Sequence, residues 1–352
     1  MAIFKSENRK ARRIGASIAL ALSVSLAVVA CSGTATTEVA EGESALQAAM
    51  DRDATWVVTS SGPGVVKDGK SIDFTVIKIS TVVAVARMQE QGWNVEARFI
   101  ESNENVVQSL VQGDSDAVNL ALPSVLAAVS GDVPLTVFAG GSKFGFTVVG
   151  NADINSPEDA TGKRVAYQAT ISAGTLASQL WTLGTDAEPQ FLTMPGSAAR
   201  TEALIAGQLD AVAVSAGFDA EIEGQAPGRF KVVYDPLSQY PFLLDTVLAY
   251  NGDLDPQKQA FLEALLAEQI KVVQEFQADT SYLEEMLKEY DVTVYPLLDT
   301  LVSLMFDDIG VSAANVDKQI ELMVETGQID ADAGLPTGAD LIDTTIWDNI
   351  SK

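Results

Sequence analysis

Residues 190–215 read QFLTMPGSAARTEALIAGQLDAVAVS. A short β-rich run at 190–194 meets a Pro-Gly turn, a helix-like stretch follows at 197–206, and an apolar run closes the segment at 211–215. Strand, helix of about ten residues and strand make the βαβ unit, whose parallel strands are buried on both faces of a sheet. The same rhythm extends outward. Upstream, strands predicted at 72–79, 95–100, 117–120, 135–139 and 164–168 alternate with helices at 81–91, 105–112, 124–130 and 173–183. Downstream, a helix at 216–225 leads to a strand at 230–234.

Two features divide this rhythm. Residues 140–163 hold a single extended run at 146–149 between Gly- and Asp-rich turns, and residues 241–250 hold another at 243–249. After that the chain is mainly helical at 256–277, 281–290, 297–309 and 315–326, with caps such as Asp255-Pro256 and Asp279-Thr280-Ser281. The expected fold is α/β and two-lobed. Each lobe is a mostly parallel sheet with helices on both faces, the lobes are joined by two hinge crossings, and helices close the C-terminus. Residues 70–145 with 246–352 form the first lobe and 146–245 the second, an arrangement that can close on a ligand. No short fixed repeat is present, which argues against a solenoid.

Length and charge narrow the function. The chain has 352 residues, 47% of them hydrophobic, with 22 Lys and Arg against 48 Asp and Glu, a net charge of −26. That is enough apolar material for about two domains with real cores. Such acidity argues against nucleic acid, whose phosphates call for clustered bases, and against docking on anionic lipid. With no histidine and a single cysteine, His-based triads, imidazole zinc sites and internal disulfides are excluded. No calcium-loop spacing occurs, and neither a metal nor a cofactor is expected.

The N-terminus speaks to location. Lys5, Arg9, Lys10, Arg12 and Arg13 precede an uncharged apolar run at 14–30, and Cys31 follows at once. A basic region, an apolar region and small residues before a cut site describe an export signal over residues 1–30. Val28-Val29-Ala30-Cys31 resembles the bacterial lipobox, in which the cysteine is lipidated and becomes the first residue of the mature chain. Residues 31–69 then read as an acidic tether and lead-in to the folded part.

Ligands of open parallel α/β sheets bind beyond the carboxyl ends of the strands. The segments that follow the predicted strands carry Ser80 and Thr81; Leu122, Pro123 and Ser124; Thr170, Ser172, Gly174 and Thr175; Ser197 and Arg200; and Ser215 and Phe218. Four of the five are rich in hydroxyls and open a helix, where free N–H groups favour an anionic or zwitterionic group. Each hydroxyl is also the preferred kind of helix cap, so capping and binding both stand. Arg200 sits in a first turn, where a cation opposes the helix dipole and a counter-anion is favourable; a ligand or a nearby acid such as Glu202 would serve. Asp245, a charge inside an apolar run, either pairs across the hinge or meets ligand.

These residues resemble a family. The lipobox, FTVIKIS (74–80), VNLALPSVLAAVSG (118–131), SPEDATGKRV (156–165) and the stretch 194–219 look like the periplasmic solute-binding proteins of ABC transporters, and within them the nitrate, sulfonate, taurine and thiamine-precursor group. The likeness covers about residues 70–250. It implies a type II periplasmic-binding-protein fold, a non-enzymatic monomer that grips a small solute between its lobes through the segments above, and a membrane permease as partner. The sequence departs from the sulfonate and taurine members near 215–218, where an aromatic- and acid-rich loop is missing. Two other functions fit the same fold: an enzyme akin to pyrimidine-synthesising relatives, which the lack of histidine disfavours, and a solute receptor that signals rather than supplies import.

Overall fold

The computed structural model describes residues 35–61, 79–100, 102–289, 298–305 and 311–351. In chain order, α1 (Ala35–Met50) precedes β1 (Trp56–Ser61), and α2 (Ile79–Glu90), β2 (Val95–Ile100), α3 (Asn103–Val111), β3 (Ala117–Ala121), α4 (Leu122–Ser130) and β4 (Leu135–Lys143) follow. β5 (Phe146–Asn151), β6 (Arg164–Tyr167), α5 (Ala173–Thr182), β7 (Gln190–Thr193), α6 (Ser197–Ile205), β8 (Ala211–Ser215), α7 (Phe218–Gln225) and β9 (Phe230–Tyr234) make the middle of the chain. Then come β10 (Leu244–Asn251), α8 (Pro256–Ala278), α9 (Thr280–Glu289), α10 (Leu298–Leu304), α11 (Ala313–Glu325), α12 (Gly338–Leu341) and α13 (Thr345–Ile350).

The described residues form two five-stranded sheets, ordered β2-β1-β3-β10-β4 and β7-β6-β8-β5-β9. In the first, β1 runs parallel to β2 and β3, while β10 is antiparallel to β3 and β4. In the second, β6 is parallel to β7 and β8, while β5 is antiparallel to β8 and β9. Each sheet therefore has one reversed strand, and in each it is the first strand laid down after the chain arrives from the other sheet. The two crossings touch: the Phe144 N–H donates to the Leu243 carbonyl at 3.1 Å.

The predicted rhythm of strands and helices from residue 95 to 278 matches these elements to within a few residues, while residues 290, 297 and 306–309 of the predicted C-terminal helices lie outside the described residues. The N-terminal part differs. The strand predicted at 72–79 falls outside the described residues except for Ile79, which opens α2. β1, an interior strand of the first sheet between β2 and β3, lies inside the stretch read as lead-in. Its six residues, WVVTSS, are all buried, as a strand covered on both faces requires. Trp56 stacks on Phe261 of α8 with ring centroids 4.4 Å apart, a contact worth about 1 kcal/mol beyond area burial. Within the stretch read as acidic tether, Ala35–Met50 is helical, because Ala, Glu, Gln, Leu and Met favour helix and no Pro interrupts. Ala49 at its end is fully buried, and its carbonyl accepts from Trp56 Nε1 at 2.9 Å.

Layering follows from alternation. Val118 and Leu120 of β3 join the core under α3, α4 and α11, whereas Ala117 faces the core under α8. Asp255 caps α8 by accepting from the N–H groups of Gln257 and Lys258, with Pro256 in the first turn. Among the described residues no helix is long and apolar enough to cross a membrane. The apolar run at 14–30 and Cys31 lie outside the described residues.

Candidate functional site

The carboxyl ends of the parallel strands place α2, α3 and α4 at one edge of the first sheet and α5, α6 and α7 at one edge of the second. The crossings join these edges: the Gly145 carbonyl, between β4 and β5, accepts from the Ala216 N–H at 2.7 Å, just past the end of β8. A cavity of about 400 Å³ opens between the first turn of α3 (Asn103, Glu104, Val107) and α4 (Ser124, Ala128), and Ile171 from the β6–α5 loop of the second sheet reaches it. Among the described residues its lining is mainly apolar and includes one carboxylate and no base.

Of the residues singled out from the sequence, Ser124 lines this cavity and Thr170 and Ser172 flank Ile171. Thr170 is exposed, whereas Ser172 is buried and caps α5, its Oγ accepting from the Thr175 N–H at 3.1 Å. Thr175 Oγ1 lies 2.9 Å from Ser172 Oγ and donates to the Ala169 carbonyl, so this pair fixes the loop that carries Ile171. Gly174 has a packing role: a Cβ there would come within 3.3 Å of the Phe146 ring, so glycine lets α5 approach β5. Leu122 and Pro123, read as loop residues, instead form the buried first turn of α4, because Pro is favoured there and Leu122 belongs to the core.

Ser197, Arg200 and Ser215 meet in one network. Arg200 is 0% exposed and donates from Nε to the Ala213 carbonyl (2.7 Å), from Nη1 to the Met194 carbonyl (2.6 Å) and from Nη2 to Ser197 Oγ (2.9 Å). Ser197 Oγ also accepts from the Ser215 N–H at 3.2 Å and lies 3.1 Å from Ser215 Oγ. The guanidinium thus ties the ends of β7 and β8 to the start of α6. The sequence left open whether Arg200 meets a ligand or a nearby acid such as Glu202; its guanidinium lies buried in this network. Gly196, at φ 81°, permits the turn that brings Ser197 inward. Phe218 is half-buried and packs against the core beneath α6 and α7.

Ser80 and Thr81 are buried in the first turn of α2. Thr81 Oγ1 accepts from Asn119 Nδ2 at 3.3 Å and Ser80 Oγ from Gln269 Nε2 at 3.4 Å. The remaining amide oxygens, Asn119 Oδ1 and Gln269 Oε1, have no hydrogen-bond donor among the described residues, and buried acceptors of this kind are costly unless a donor reaches them. Asn119, an amide inside the apolar strand AVNLA, was detectable in the sequence; Gln269, on a long helix, and Ile171, an apolar loop residue, carried no such signal.

The family described as NMT1/THI5 like matches residues 35–267. The chain belongs to that family. Its architecture agrees with that membership: this NMT1/THI5-like chain is similar in fold to the periplasmic aliphatic sulphonate binding protein SsuA from Escherichia coli, with TM-score 0.62 at 11% identity over 79% of this chain and 94% of that one. It is also similar to the periplasmic nitrate-binding protein NrtA from Synechocystis PCC 6803, with TM-score 0.63 at 12% identity over 84% and 88% of the two chains. At the sequence level, the NMT1/THI5-like chain is 36% identical over 80 residues to the taurine-binding periplasmic protein of Escherichia coli. That stretch is 22% of this chain and 25% of the relative's length.

Proposed function

We propose that this chain is the solute-capturing subunit of an ABC importer: an exported, lipid-anchored, monomeric protein that closes on a small organic solute and presents it to a membrane permease, without catalysis. The observation that carries this reading is the pairing of two sheets of the same strand order, joined by adjacent crossings, with a cavity that receives residues from both. Two lobes linked in this way interconvert between open and closed forms, and a ligand shifts that equilibrium by its preference for the closed one.

Relatives that bind taurine, sulphonate or nitrate support a small solute with an anionic or zwitterionic head. Uncharged donors would receive that head here: the N–H groups and hydroxyls at the starts of α2, α4 and α5, near Ser80, Thr81, Ser124, Thr170 and Ser172. Arg200 then acts indirectly, by holding the edge of the second sheet in shape. The apolar cavity wall accommodates the solute's carbon skeleton.

Calorimetry with taurine, short alkanesulphonates and nitrate tests the assignment. S124W, which fills the cavity from a half-buried position, is expected to abolish binding of any solute the parent chain takes up while leaving the melting temperature within a few degrees. Unchanged affinity in S124W would remove the cavity from the site. The anchor is tested separately: C31A is expected to release the protein from the membrane fraction of expressing cells, and membrane retention of C31A would contradict lipidation at Cys31.

A further inference from the structure

The second crossing is gripped by a helix far along the chain. β10 begins at Leu244, opposite Lys143 of β4, but its pairing with β3 begins only at Thr246, opposite Ala121, after a break in register. Among the described residues no strand from the β3 side therefore reaches Leu244. Gln319 of α11 takes that place: the Leu244 N–H donates to Gln319 Oε1 at 2.8 Å, and Gln319 Nε2 donates to the Leu244 carbonyl at 2.9 Å. The Gln319 side chain is 0% exposed. One residue earlier on the same helix, Lys318 Nζ stands 5.4 Å from the Phe242 ring centroid, so α11 contacts the chain on both sides of Leu243. Val316, Ile320 and Met323 anchor α11 in the core that also holds Leu243, Leu244 and Val247.

A side-chain amide presents an N–H donor beside a carbonyl acceptor in the spacing of a peptide group, so it can complete the hydrogen bonding of a single strand residue. We propose that Gln319 is a positioning residue of the hinge: its amide stands in for a missing strand at Leu244 and keeps the start of β10 fixed to α11, so that closure turns at Phe144–Gly145 and residues 240–243 rather than by peeling β10 from its sheet. A buried backbone pair left without partners would loosen there first, because local opening follows local satisfaction. The inference goes beyond solute capture. It rests on the two crossings and requires no ligand, so its failure leaves the capture reading standing, and the reverse holds too.

Spin labels at E90C and E158C, exposed positions attached to the first and second sheets, placed in a chain carrying C31S, report the spread of distances between the lobes without any solute. Q319M keeps the shape of the side chain and removes both hydrogen bonds. It is expected to broaden the distance distribution and to speed amide exchange at Leu244 about tenfold, with exchange at Leu248 unchanged. Q319E adds a reversible probe. Protonated at acid pH, the introduced carboxyl can donate and accept like the amide, and at neutral pH it cannot donate to the Leu244 carbonyl. The distribution for Q319E should be narrow at acid pH and broad at neutral pH, while the parent stays narrow at both. A parent-like distribution and parent-like Leu244 exchange in Q319M would overturn the proposal, as would equal acceleration at Leu244 and Leu248, which marks a general loss of stability. If Q319M does not fold, a Q319E distribution that does not respond to pH overturns it.

Discussion

Arg200, read from the sequence as meeting either a ligand or a nearby acid, is a brace between strands and a helix. A fully buried guanidinium must direct its donors to acceptors, and here the carbonyls of Ala213 and Met194 and the hydroxyl of Ser197 take them. R200A should lower stability by about 3 kcal/mol or more in urea denaturation, because it removes a large buried side chain and strips donors from two carbonyls. R200K, which keeps the charge but cannot fork, should fall between. A loss below 1 kcal/mol for R200A would contradict the bracing role. The sequence placed Arg200 in the first turn of a helix and could go no further. Which carbonyls it meets depends on how β7 and β8 lie beside α6, a tertiary fact with no local signature. Ser172 illustrates the reverse case, since a serine before a helical run is a cap by its chemistry alone, and a cap is what the structure contains.

At the scale of elements, the strands and helices from β2 to β9 were legible because short β-rich runs alternate there with helix-like runs, with glycines marking the turns. The start of the first sheet was not. WVVTSS and FTVIKIS are both β-rich runs, so residue types alone do not tell which of them enters the sheet as β1. The helix α7 carries a pH signature. Burial, with Glu202 adding repulsion, pushes the Glu221 carboxyl above its ordinary value despite a hydrogen bond from Gln225. The folded chain therefore holds this proton more tightly than the unfolded chain does. The favourable contribution is fully present below the unfolded value near 4.5 and is lost as pH rises through the folded value. E221Q should flatten this part of the stability profile and match or exceed the parent at neutral pH, measured as melting temperature across about pH 4 to 8. Parallel profiles for parent and variant would show that the carboxyl is not strained by folding.

For the whole molecule, the pattern of alternating elements broken by two extended runs was enough to anticipate two lobes, and the sheets have one reversed strand each. Less visible was how closely the crossings are tied: to each other at Phe144 and Leu243 and, by Gln319, to α11. The C-terminal helices read only as generic helix in the sequence, yet one of them holds the crossing through a single amide, a contact 75 residues away in the chain. The central claim is that the lobes close on a small solute. Small-angle X-ray scattering of the chain alone and saturated with the solute that calorimetry selects from taurine, alkanesulphonates and nitrate tests it directly. A decrease in the radius of gyration on saturation, at one solute per chain, is the result predicted; no solute bound across the panel, or one bound with the radius unchanged, would contradict it.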